Sequence, residues 1–240
     1  MHFFNGSYPG KVPMVLGHES TGIVEQVGSD VHYVKPGDHV ITCLSVFCGH
    51  CEQCVTGHLS LCGEDEVNRG PEEEPRLSQD GQSLEQFARL GSFAEMMLVH
   101  EHAVVKIRED MPSAQAALIG CGVTTGIGAV IHTAKVEPGA TVAVIGCGGI
   151  GLSTINGAAI AGASRIIAVD MVASKLELAR KFGATDVVDA SDGDAVAKVK
   201  ELTGGGVHYS FEAIGLKVCA EQAFQMLRIG GTATVIAVSY

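Results

Sequence analysis

The 240 residues carry a formal net charge of −11 at pH 7, which disfavours nucleic acid and anionic membrane surfaces as partners. Hydrophobic residues make up 46%, enough to fill the core of one large domain or two ordinary ones. Apolar runs are broken by glycine or charge well short of a membrane-spanning length, and residues 1–6 lack the basic and apolar regions of a signal peptide, so a reducing cytoplasm is the expected setting.

Residues 11–62 alternate short apolar strands with turn signals. Val24 and Val27-Gly28 end one strand, Lys35-Pro36-Gly37-Asp38 forms a turn, and His39-Val40-Ile41 begins the next strand. Cys48, Cys51, Cys54 and Cys62 follow in the pattern C-x2-C-x2-C-x7-C. Four soft thiolates so close in sequence suit a closed tetrahedral zinc site, with Gly49 and Gly57 allowing the turns that gather the sulfurs. The alternative, a pair of disulfides, needs an oxidising compartment that nothing here indicates. His50 stands inside the lobe, but four cysteines already complete a tetrahedron. Cys43, Cys147 and Cys219 have no metal spacing and read as small buried hydrophobes.

Residues 63–91, with Glu64-Asp65-Glu66 and Glu72-Glu73-Glu74, read as a polar solvated loop rather than an interaction tail. Strand character returns over 92–107, in Met96-Met97-Leu98-Val99 and Val104-Val105-Lys106-Ile107. After residue 120 strands at 141–145, 165–169, 186–189, 207–212 and 232–238 alternate with helices at 150–161, 173–182, 193–203 and 216–228. That rhythm predicts a doubly wound α/β parallel sheet covered by helices, beginning after a domain boundary near residue 122.

Gly146-Cys147-Gly148-Gly149-Ile150-Gly151 fits G-x-G-x-x-G between a predicted strand and a predicted helix. In that setting a pyrophosphate can rest on backbone N–H groups at a helix N-terminus. Asp170 ends the next strand, 19 residues after Gly151. A carboxylate there accepts hydrogen bonds from ribose hydroxyls and repels a 2′-phosphate, which favours NAD over NADP.

The run Gly17-His18-Glu19-Ser20-Thr21-Gly22-Ile23, with Gly28 and Val31, resembles the signature of zinc-containing medium-chain alcohol dehydrogenases. The cysteine lobe, the run 120–126 (Gly120-Cys121-Gly122-Val123-Thr124-Thr125-Gly126), and 146–151 with Asp170 resemble the same family in the same order. The long 63–91 segment resembles the dimeric branch that contains the glutathione-dependent formaldehyde dehydrogenases. The resemblance implies a mainly β, GroES-like catalytic domain over 1–122, carrying the zinc lobe at 48–62, and an NAD-binding Rossmann domain over 123–240. It implies one structural zinc held by the four lobe cysteines and one catalytic zinc with His18 and Cys121 as ligands. Glu19 matches a carboxylate near that metal, Thr125 a residue beside the nicotinamide, and Lys175 a basic residue near the adenosine ribose. His2 falls where members hold the outer base of a proton relay.

The implied function is NAD-linked oxidation of a small alcohol, or the reverse reduction of its aldehyde or ketone, by a homodimer. Two other readings are a glutathione-dependent formaldehyde dehydrogenase and a non-catalytic zinc- and nucleotide-binding module. The family places a third catalytic-zinc cysteine about 21 residues before His18 and a sixth parallel strand after the fifth, so the chain is expected to be a fragment of a longer protein.

Overall fold

The computed structural model describes residue 6, residues 12–67 and residues 72–237. The chain divides into two compact units, Met1–Cys121 and Gly122–Tyr240.

The first unit is built on a three-stranded antiparallel sheet, β1 (Thr21–Ile23), β2 (His39–Thr42) and β3 (Val104–Lys106), in that order. The turn before β2 forms as its residues dictate. The Asp38 N–H donates to the Lys35 carbonyl at 3.1 Å, while the Asp38 carboxylate accepts from the Lys35 N–H at 3.0 Å and from Lys106 Nζ at 2.6 Å. Small apolar clusters lie beside this sheet, one of Val34, Val40 and Val104, the other of Val46, Val67, Leu90 and Ala103. The described residues of the 63–91 segment are irregular, with single 3₁₀ turns and two-residue strand pairs such as Ser78–Gln79 with Gln82–Ser83. Residues 96–99, expected as a strand, form none: Met96 and Leu98 are exposed.

The second unit opens with a helical segment that the sequence pattern does not signal. After the one-turn helix α1 (Glu52–Val55) of the first unit comes helix α2 (Gly122–Gly128), which runs into a wide turn, Ala129–Ala134. Three glycines in seven residues read as loop by propensity, and packing overrides it. A Cβ on Gly126 would stand 2.6 Å from the Ile150 carbonyl oxygen, so the absence of a side chain lets two helices touch.

Strands β4 (Thr141–Ile145), β5 (Arg165–Asp170), β6 (Asp186–Asp189), β7 (Val207–Glu212) and β8 (Leu227–Val235) form a parallel sheet in the order β6-β5-β4-β7-β8. Helices α3 (Gly149–Ile160), α4 (Ala173–Lys181), α5 (Ala195–Thr203) and α6 (Lys217–Gln225) connect them. Alternate residues of one strand feed separate cores. Val142, Val144, Ile166 and Ala168 join one; Ala143, Ile145, Ile167 and Val169 join the other. Asp194 caps α5 by accepting the N–H groups of Val196 and Ala197, and Gly204 ends it at φ +66°. β8 begins five residues earlier than the expected 232, because Leu227 pairs with Val207 ahead of a register shift. Among the described residues no single helix is long and apolar enough to cross a membrane.

Candidate metal and dinucleotide sites

The cysteine lobe gathers its sulfurs as the spacing requires. The Sγ atoms of Cys48, Cys51, Cys54 and Cys62 lie within 4.8 Å of one another, with Cys51–Cys54 at 3.5 Å, Cys48–Cys54 at 3.8 Å and Cys51–Cys62 at 4.0 Å. Four thiolates at about 2.3 Å from one zinc stand about 3.8 Å apart, so the donor set fits that ion. The same separations are far beyond a covalent bond of about 2.0 Å, which removes the disulfide alternative; all eight cysteines are unbridged. Gly49 and Gly57 adopt φ of +93° and +87°, the turns that return the chain on either side of α1. The N–H groups of Glu64 and Cys48 favour the Cys62 thiolate and hold its pKa down at about 7. For Cys51 the Cys54 N–H acts in that direction, but burial and the neighbouring thiols prevail and push it up to about 12. His50 Nε2 pairs with Glu66 at 2.5 Å, and the donor atoms of Cys48, His50 and Glu66 form a second group within 4.8 Å of one another.

The second constellation joins residues far apart in sequence. His18 Nε2 lies 3.2 Å from Cys121 Sγ. Two features place His18. Gly17 takes φ +93°, and a Cβ there would meet Ser92 and Phe93 at 2.5–2.6 Å. Thr42, buried at the end of β2, donates its hydroxyl to the His18 carbonyl at 3.2 Å and accepts the Ser20 N–H at 3.2 Å. The Phe87 ring stands edge-on to the imidazole, centroids 5.4 Å apart. Cys121 arrives because Gly120 has no side chain: a Cβ there would lie 2.2 Å from the Thr42 carbonyl oxygen. A thiolate and an imidazole on one tetrahedral zinc stand about 3.6 Å apart, so the pair fits two of its ligands. Thr42 and Phe87 carry no sequence signal, since a strand threonine and an isolated phenylalanine are ordinary features of a chain. Glu19 is exposed, and His2 lies outside the described residues.

The third constellation is the turn between β4 and α3. Gly146 takes φ +94°, and a Cβ on Gly151 would fall 1.7 Å from the Gly146 carbonyl oxygen. Gly148 and Gly149, by contrast, have nothing within 4 Å of an added Cβ. Two glycines are therefore demanded by the protein's own packing, and two leave a cradle that a Cβ would fill. Gly149 and Ile150 begin α3, so their N–H groups are among those a helix leaves without intrahelical partners. That open cradle at a helix N-terminus fits a dinucleotide pyrophosphate. Asp170 is buried beside the turn. Its Oδ2 accepts the Cys147 N–H at 2.8 Å, its Oδ1 accepts the Val172 N–H at 3.0 Å, and Lys175 Nζ stands 4.0 Å away. The carboxylate thus braces the turn. Burial, and then the charge of Asp170, push the Cys147 thiol up to about 12, which leaves it an unreactive hydrophobe. Cys219 is likewise buried, whereas Cys43 is only half-buried. Thr125, on α2, lines a cavity of about 360 Å³ with His132 and Thr234.

Comparison with known proteins places these constellations in context. Residues 1–109 match the alcohol dehydrogenase GroES-like domain, and residues 149–240 match the zinc-binding dehydrogenase family. The chain is 42% identical over 243 residues to the S-(hydroxymethyl)glutathione dehydrogenase of Saccharomyces cerevisiae, covering 97% of this chain and 63% of the yeast protein. The fold matches benzyl alcohol dehydrogenase from Acinetobacter calcoaceticus with a TM-score of 0.86 and 36% identity, over 99% of this chain and 65% of that one. It matches a zinc-binding dehydrogenase of Sinorhizobium meliloti 1021 bound to NADP with a TM-score of 0.79 and 30% identity, over 99% and 65%. The chain therefore spans somewhat under two thirds of the length of the relatives it matches.

Proposed function

The chain belongs to the zinc-containing medium-chain alcohol dehydrogenase family, and we propose that it serves NAD-linked hydride transfer between a small alcohol and its aldehyde or ketone. The observation that carries the proposal is the approach of His18 to Cys121 at 3.2 Å, outside a lobe that already supplies four thiolates of its own. A second metal-type pair in a chain with a complete structural site argues for a zinc that does chemistry.

His18 and Cys121 would hold that zinc, which when bound supplies Lewis acidity that lowers the pKa of an alcohol O–H. Thr42 fixes the His18 backbone, and Gly120 seats the segment carrying Cys121, so the two donors are set before any ligand arrives. Glu19 follows His18 as the carboxylate assigned to that metal's surroundings, and His2 is assigned the outer position of the proton relay. NAD, the hydride acceptor, would rest its pyrophosphate on Gly148, Gly149 and Ile150, with Asp170 and Lys175 at the adenosine ribose and Thr125 at the nicotinamide. Cys48, Cys51, Cys54 and Cys62 would hold the structural zinc.

A second reading of the substrate is S-(hydroxymethyl)glutathione, supported by the 42% identity to the yeast enzyme of that name. A homodimer completes the proposal, supported by the resemblance of the 63–91 segment to the dimeric branch of the family. The unbridged cysteines support a reducing cytoplasm as its setting. The test is NAD reduction measured with benzyl alcohol, with simple primary alcohols, and with formaldehyde in the presence and absence of glutathione. Turnover of formaldehyde only with glutathione selects the second reading. Two bound zincs with no turnover of any of these substrates would instead support a binding module.

A further inference from the structure

In the sheet order β6-β5-β4-β7-β8, the strand that leads into the glycine turn lies between β5 and β7. Strand order reverses at β4, the place where open α/β sheets leave a crevice beyond their carboxyl ends. Both flanking strands end there in a buried carboxylate, β5 in Asp170 and β7 in Glu212. Asp170 braces the glycine turn by accepting the Cys147 N–H. Glu212 is fully buried and acts on the opposite wall, where its Oε1 accepts the N–H of Ile214 at 2.7 Å and of Gly215 at 2.8 Å. Its Oε2 has no hydrogen-bond partner among the described residues.

The wall that Glu212 holds is in contact with the turn. A Cβ on Gly146 would stand 2.5 Å from Ile214 Cγ1 and 3.1 Å from the Ala213 carbonyl oxygen, and one on Gly151 would stand 3.7 Å from Ala213 Cβ. Gly215 takes φ +90°, so this loop is locked in a conformation that a backbone without the Glu212 acceptor has little reason to keep. Burial, and then the nearby charge of Glu212, push up the thiol of Cys219 on α6.

We propose that Glu212 is a positioning residue for the dinucleotide, holding Ile214 and Gly215 as the second wall of the crevice over Gly146–Gly151. This rests on the dinucleotide reading given above. The acceptor acts through geometry, so its position matters more than its charge. Glu212→Gln keeps an acceptor at the Oε1 position, whereas Glu212→Asp keeps the charge and withdraws the acceptor by one methylene.

The experiment is titration with NADH, followed by the nicotinamide fluorescence, on the wild-type chain and on the Ala, Asp and Gln variants at position 212. Zinc content and circular dichroism are checked on each. Glu212→Ala and Glu212→Asp should each weaken NADH binding about tenfold or more, while Glu212→Gln stays within about twofold of wild type. A residue needed only for stability would rank the variants by melting temperature and leave the affinity of the folded fraction unchanged. If the Ala variant does not fold, Asp against Gln decides. Wild-type affinity in Glu212→Asp, or an equal loss in Glu212→Gln, overturns the proposal while leaving the dinucleotide site standing. A wild-type chain that binds neither NADH nor NADPH overturns the dinucleotide reading and this proposal with it.

Discussion

His18 Nε2 and Cys121 Sγ meet at 3.2 Å although 103 residues separate them in sequence. Neither residue reaches the other by local structure. Gly17, at φ +93°, swings the chain into His18, and Gly120 approaches Thr42 so closely that no side chain fits between them. Two glycines and one threonine thus bring one imidazole and one thiol together.

If that pair holds a catalytic zinc, removing either donor should be severe. In a protein that also carries the third zinc ligand expected before His18, His18→Ala and Cys121→Ala should each lower kcat/KM by about 10³-fold or more, since a Lewis acid contributes several kcal/mol to such a reaction. NADH binding should stay near wild type, because the glycine turn lies in the other unit. Metal analysis and NADH titration on the same preparations check both halves. A variant that keeps its turnover removes His18 or Cys121 from the site.

The lobe makes a different prediction, about stability. Cys51→Ser should lose one zinc per chain and melt at a markedly lower temperature, because structural zinc in small sites contributes on the order of 10 kcal/mol to folding. Chelation of the wild-type protein should reproduce the melting shift. Equal zinc content in Cys51→Ser and wild type would show that another donor, with His50 the nearest candidate in sequence, completes the tetrahedron.

The lobe and the glycine turn were legible because their chemistry is local. Four cysteines within fifteen residues, or a strand followed by G-x-G-x-x-G and a helix, place their own donors by short-range geometry. The five-stranded sheet was legible for a related reason, since strands buried on both faces show as continuous apolar runs. The first unit was harder. Its strands are two to four residues long, and Met96 to Val99 has strand composition without strand pairing. Residues 113–134 fold as helical turns on small residues that read as loop. Thr42, Phe87 and Glu212 were invisible for another reason: each matters only through a tertiary neighbour, and a single sequence does not display tertiary neighbours.

Asp170 braces the glycine turn, and in the proposed function it also accepts from the adenosine ribose; the two roles can be separated. Asp170→Ala should weaken NADH binding about tenfold or more, because it removes a ribose acceptor and also frees the Cys147 N–H that braces the turn. Asp170→Asn keeps one acceptor oxygen without the charge that repels a 2′-phosphate. It should therefore narrow the gap between NADH and NADPH more than it lowers NADH affinity. Titration of both variants with both cofactors reads this directly. Tighter binding of NADPH than NADH by the wild-type chain would contradict the preference assigned to Asp170.

A pH prediction follows from the pair that ties β5 to β6. Arg165 Nε donates to Asp186 Oδ2 at 2.8 Å, and its NH2 group donates to Oδ1 at 2.9 Å. The guanidinium holds the Asp186 carboxyl down at about 2, against an ordinary 3.8. A depressed carboxylate contributes stability that is fully present above its unfolded pKa and is lost as pH falls through its folded one. Asp186→Asn should therefore cost about 1 kcal/mol at pH 7, after allowance for solvent screening of a partly exposed pair. The difference in urea midpoints should begin to shrink below about pH 4 and vanish below about pH 2. A gap that does not change with pH would mean the pair contributes through packing rather than charge.

The glycine turn allows a test in which fold and function part company. A Cβ on Gly151 would lie 1.7 Å from the Gly146 carbonyl oxygen, a contact that only backbone movement can relieve. Gly151→Ala should lower stability by about 1–3 kcal/mol and abolish NADH binding together with it. Gly148 has nothing within 4 Å of its added Cβ, so Gly148→Ala should melt with the wild type. Its methyl group would instead stand in the cradle where the pyrophosphate must approach the backbone, and NADH affinity should fall about tenfold or more. Thermal melts and NADH titrations on the two variants separate a glycine required by the chain from a glycine required by the cofactor. If Gly148→Ala bound NADH as well as wild type, the open side of the turn would not be where the pyrophosphate sits, and the dinucleotide would have to be held by other groups.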